Sequence, residues 1–86
     1  MKTTNNKSRK LVEKQEDFKA SNLSGVTLGN KYIVYSYDCY PLLVYVDNKW
    51  FENGENYSQS TSRQLNQCRP TIKTVVISHA SMKDLI

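Results

Sequence analysis

The sequence predicts a small α+β domain, with an antiparallel sheet of about four strands, a short N-terminal helix and a second short helical segment. Three observations carry this reading. The chain has 86 residues, enough for one domain with a modest core. Its apolar side chains concentrate between residues 32 and 51 and again between 72 and 77, the first stretch being rich in β-branched and aromatic residues. Two turn signals, residues 38–41 and Asp47-Asn48, divide that first stretch.

The elements follow in chain order. Residues 1–8 show no apolar periodicity, and residues 1–10 are expected to form a flexible basic arm, leaving 11–86 as the single domain. Ser8 is a candidate cap for a helix with Leu11, Val12, Gln15 and Phe18 along one side. Asn22, Gly25, Gly29 and Asn30 punctuate the next stretch and leave space for a brief strand at 26–28. Residues 32–37 and 42–46 read as strands, and Asp47-Asn48 as a two-residue hairpin loop before a strand at 49–52.

That loop sets Val46 opposite Lys49, Tyr45 opposite Trp50 and Val44 opposite Phe51, and directly opposed residues share a face. Leu42, Val44, Val46 and Phe51 then line one side, and Leu43, Tyr45 and Trp50 the other. Both sides carry large apolar groups, so one packs on the core while the other needs cover or a partner. The candidate covers are the N-terminal helix and residues 60–68, where Leu65 and Cys68 stand three apart as on one side of a helical turn. TIKTVVIS reads as a further strand, and Ser81 as the cap of a last turn.

The net charge of +4 has a location. Lys2, Lys7, Arg9 and Lys10 fall in the first ten residues with no acidic residue among them, so the rest of the chain sums to zero. A smaller asymmetry follows the acidic turn at Glu52 and Glu55, where Arg63, Arg69 and Lys73 succeed one another. Such a basic arm is either an ordinary solvated segment or a grip for phosphate.

Several chemistries find no support. Cys39 and Cys68 lack the C-x-x-C spacing of a zinc knuckle or a redox motif, His79 is the single histidine, and the glycines form no phosphate-cradling loop. No metal and no cofactor are therefore expected. A cysteine and His79 as nucleophile and base would also need an orienting group and an oxyanion hole, so the expectation is a non-enzymatic protein. Nothing resembles a signal peptide, and no run approaches the roughly 20 apolar residues that span a bilayer. A cytoplasmic protein with reduced cysteines and no membrane partner is expected.

Six tyrosines are many for this length. Aromatics on an open sheet can stack bases, with Arg63 or Arg69 adding planar stacking and phosphate contacts, although strands also favour tyrosine for packing alone. The segment YSQSTSRQLNQCRP, residues 57–70, is dense in hydroxyl, amide and guanidinium groups, with Leu65, Cys68 and Pro70 as anchors.

Tyr35 to Tyr37, the proline-led strand from Pro41, Trp50 to Asn53, Tyr57-Ser58, Thr61 to Arg63 and Arg69-Pro70 together resemble a family of small proteins of bacteriophages and mobile elements of low-GC bacteria. The chain departs from that pattern at Gln64, where the family carries histidine. The resemblance implies a phage or mobile-element setting, in the cytoplasm of a bacterial host, and implies no reaction.

Two functions are expected on these grounds. The first is an accessory protein that binds nucleic acid through Lys7, Arg9, Lys10, Arg63 and Arg69. The alternative is an inhibitor or adaptor of the anti-CRISPR or host-takeover kind, which binds a bacterial host or defence-system protein through Tyr45, Trp50 and Tyr57, since aromatic and Arg residues commonly anchor protein interfaces.

Overall fold

In the computed structural model, Asp47 and Asn48 both adopt left-handed backbone angles, φ 55° and 62°, the geometry of a type I′ hairpin turn. The turn joins β4 (Tyr40–Val46) to β5 (Lys49–Asn53). Val46 pairs with Lys49, Tyr45 with Trp50 and Val44 with Phe51, the register that the loop predicts. The structure describes residues 2–37, 40–55, 59–70 and 73–86, with the backbone alone at residues 6 and 59–63.

A sheet grows outward from this hairpin. Its order is β1 (Phe18–Lys19), β2 (Leu23–Leu28), β3 (Lys31–Ser36), β4, β5 and β6 (Val75–Ile77). Among the described residues six strands replace the expected four or so, and the sheet is mixed rather than antiparallel, because β6 pairs parallel to β5. Parallel neighbours need a crossover connection, and α2 (Gln59–Cys68) supplies it between Asn53 and Val75.

The pairing builds one continuous row across the sheet: Phe18, Gly25, Val34, Leu43, Glu52 and Val76. On that face Val12, Phe18, Leu23, Tyr32, Val34, Leu43, Trp50, Leu65 and Cys68 form the larger core, under α1 (Ser8–Glu13) and α2. The opposite face holds Ile33, Val44 and Val46, covered by Met82 of α3 (His79–Asp84). The two candidate covers, the N-terminal helix and the helix that includes residues 60–68, both lie over the Trp50 side, the face that the sequence left open. As a consequence Trp50 is only 5 % exposed, which corrects its placement on an open interaction surface.

Local departures have local causes. The N-terminal helix ends at Glu13 and Gln15 turns left-handed (φ 56°), so Phe18 leaves the helix and enters β1. Gly25 does not end β2. It lies beneath two aromatic rings, where a Cβ would stand 2.2 Å from the Tyr32 hydroxyl oxygen and 2.5 Å from a Phe18 ring carbon. Pro41 sits inside β4 opposite Tyr35, and a register shift there sets Leu42 and Leu43 together against Val34. That bulge moves Leu42 into the cluster under the two helices, away from Val44. The last helix is capped by Ser78, whose hydroxyl accepts from the Ser81 amide, rather than by Ser81.

A candidate nucleic-acid interface on α1 and the end of α2

The basic N-terminal segment packs against the body. Lys2 bridges to Lys19, the Thr3 amide donates to the Lys19 carbonyl (2.9 Å), and a 3-10 turn at Asn5–Lys7 leads into α1. Ser8 and Val12 are fully buried on one side of α1. Lys10 of α1, Lys7 at the end of the 3-10 turn and Lys14 just past α1 are all exposed, and an α-helical 100° per residue carried through them would set the three in one sector of about 60°, away from Ser8 and Val12.

Arg9 leaves this row and reaches α2. Its Nε donates to the Arg69 carbonyl (2.8 Å) and its Nη2 to the Asn66 carbonyl. The Asn66 carbonyl belongs to the last turn of α2 and the Arg69 carbonyl to the residue that follows it, at an end where backbone acceptors lack helical partners and a cation is favoured. Arg9 thus ties α1 to the C-terminal end of α2.

Arg69 is likewise engaged. Its Nε donates to Glu52 Oε1 and its Nη2 to Glu52 Oε2, both at 2.9 Å, while the Thr74 hydroxyl donates to Oε1 (2.8 Å). The pair bridges the end of α2 to the middle of β5, with the Glu52 side chain 10 % exposed and the Arg69 side chain 41 % exposed. An exposed guanidinium edge remains, but its fork is committed to carboxylate rather than phosphate.

The expected contact set therefore divides. Lys7, at the end of the 3-10 turn, and Lys10, on α1, are exposed, whereas Arg9 and Arg69 hold the helices in place. The backbone of Arg63 lies in α2, but its side chain is outside the described residues, as is Tyr57 entirely. The structure adds Lys14, and its spacing of four residues from Lys10 and seven from Lys7 was the available signal. Tyr45 is half-buried, its ring 5.1 Å from that of Trp50. Tyr32 meets Trp50 edge-on at 6.2 Å, and its hydroxyl donates to the Glu16 carbonyl. These rings fill the core.

The histidine stands elsewhere. The Asn53 side-chain amide donates to the Pro41 carbonyl and contacts His79 Nδ1, each at 2.9 Å, while Asn53 Oδ1 accepts from the Glu55 amide. This fixes the amide orientation, so Nδ1 is the acceptor and the proton of the neutral ring sits on Nε2. The ring stacks on Tyr40 at 4.6 Å. Burial raises the Tyr40 phenol above its ordinary range, the Asn53 hydrogen bond opposes the rise, and the Glu55 charge adds to it.

Cys68 lies in the cluster under α1 and α2, where burial pushes its thiol up to about 12. His79 belongs to α3 on the other side of the sheet, so these two form no dyad; Cys39 is outside the described residues. Among the described residues no three His, Cys, Asp or Glu side chains converge as metal ligands, and no helix is long and apolar enough to cross a membrane.

No family model, curated protein or solved structure matches the chain.

Proposed function

We propose that the chain is a non-enzymatic accessory protein of phage or mobile-element type that binds nucleic acid through the lysine row of α1. The observation that supports this most is the arrangement of Lys7, Lys10 and Lys14, exposed together opposite the buried Ser8 and Val12. At about 1.5 Å rise per residue the row extends for about 10 Å, a length over which several phosphates of one strand can be met. Affinity from such contacts is electrostatic and independent of sequence.

Arg9 contributes by position. Held on the α2 carbonyls, it fixes α1 against the body, so the lysines start from an ordered helix and lose less freedom on binding than a loose arm would. The setting rests on the family resemblance. The rival reading, a host or defence protein bound by Tyr45, Trp50 and Tyr57, is weakened by the burial of Trp50.

The test is an NMR titration of labelled protein with a mixed-sequence oligonucleotide. Amide shifts concentrated at residues 7–14 are expected. Shifts confined to other elements, or none at millimolar oligonucleotide, would contradict the reading.

A further inference from the structure

The two edges of the sheet are treated differently. Beside β1 run Lys2 and Thr3, the latter donating its amide to Lys19, and both Lys2 and Lys19 are exposed. Lysine and a covering segment are the usual protections of an edge. At the other edge β6 reads Val75, Val76 and Ile77, with Val75 49 % and Val76 62 % exposed, and among the described residues no further strand follows it in the sheet.

We infer that β6 pairs with β6 of a second copy of this chain, antiparallel about Val76, joining six strands from each copy into one sheet. The Gly54 amide donates to the Ile77 carbonyl (2.7 Å), so Ile77 turns its peptide groups towards β5. Peptide groups alternate in direction along a strand, and those of Val76 therefore point outward. A two-fold axis through this residue lets the two Val76 groups exchange both hydrogen bonds. It sets the two Val76 side chains directly opposite each other on one face.

Charge selects a second copy as the occupant. In that register Lys73 comes opposite His79 of the other copy, whose amide is held by the Glu55 carboxylate (2.7 Å). Lys73 and Glu55 are both exposed, so the ammonium of each copy comes to the side of the other's carboxylate, once for each copy. The covered β1 edge stops further growth, which favours a closed pair over a fibre. A strand of 3 residues falls short of the roughly 1,000 Å² of a stable interface, so the dimer is a weak one, with Kd on the order of 10 μM to 1 mM.

Sedimentation equilibrium without nucleic acid, from about 10 μM to about 1 mM, tests this independently of the phosphate reading. A concentration-dependent dimer is expected, weakened at least about tenfold by Val76→Lys, which places two ammonium groups face to face. Lys73→Glu and Glu55→Lys should each weaken it, and the double exchange should restore it. Far-UV circular dichroism confirms that each variant folds. A monomer at all concentrations overturns the inference, as does a dimer indifferent to Val76→Lys. A dimer that responds to Val76→Lys but not to the charge exchange overturns the register about Val76.

Discussion

Arg69 holds Glu52 with both teeth of its guanidinium fork, at 2.9 Å each, across the gap between the end of α2 and the middle of β5. Glu52 lies in the central row of the sheet between Leu43 and Val76, where a carboxylate without a partner would be costly. The pair therefore fixes the crossover helix in place. Arg69→Ala is expected to destabilise the fold by about 1–3 kcal/mol, the lower part of the range for a broken pair because the Arg69 head is partly solvated. Urea unfolding at neutral pH measures this, and a loss under about 0.5 kcal/mol would contradict it.

Gln64 is fully buried, its Oε1 accepting from the Ser36 hydroxyl (2.6 Å) and its Nε2 donating to the Asn22 carbonyl (3.2 Å). Gln64→Leu removes both bonds, although the Asn22 carbonyl keeps the Tyr37 amide (2.9 Å), and should cost about 1–2 kcal/mol. Gln64→His should cost less, because a neutral imidazole offers one acceptor nitrogen and one donor nitrogen. Gln64 thereby bridges β3 to the turn before β2. Equal losses from the two substitutions, in parallel urea curves, would reject that account.

Burial raises the Cys68 thiol from 9.0 to about 12 and lifts the Tyr32 phenol above its ordinary 10.0, with the Asp17 charge adding to the latter. Between about pH 9 and pH 12 the folded chain therefore binds more protons than the unfolded one, so stability falls as pH rises through that window. Tyr32→Phe should make the alkaline decline shallower while losing the bond to the Glu16 carbonyl. Thermal melts from pH 7 to 11 check both. A decline of unchanged steepness in Tyr32→Phe would remove that phenol from the account.

The same burial should make Cys68 inert. In a Cys39→Ser background, a thiol reagent at pH 8 is expected to modify Cys68 only at the rate of unfolding, and fully in denaturant. Rapid labelling of the folded protein would show that α2 does not seal the thiol.

The β4–β5 hairpin was legible because its information is local. Two turn residues set its register, and alternation sets its faces. The two covering segments were also legible, from apolar positions that recur at helical spacing, but the face they cover was not, because both sides of the hairpin carry large apolar groups. Non-local pairings were not. β1 is only Phe18–Lys19, too short for a periodic signal, and depends on β2 and on Lys2 alongside. Gly25 reads as punctuation until Phe18 and Tyr32 are seen to occupy the space above it. The parallel pairing of β6 depends on how α2 crosses the sheet, which no single segment encodes. At the candidate interface the charges were legible, but the division of labour was not. Arg9 and Arg69 differ from the lysines through partners distant in sequence: the α2 carbonyls and Glu52.

The most direct test of the lysine row is the salt dependence of affinity. Binding of a single-stranded and a duplex oligonucleotide is measured from about 50 to 200 mM salt, for the natural chain and for a Lys7→Ala, Lys10→Ala, Lys14→Ala triple variant of unchanged fold. If each lysine meets a phosphate, the log-log slope should flatten by roughly 2 on the single strand and by nearly 3 on the duplex. A slope that the triple variant leaves unchanged would contradict the account and remove α1 from the interface.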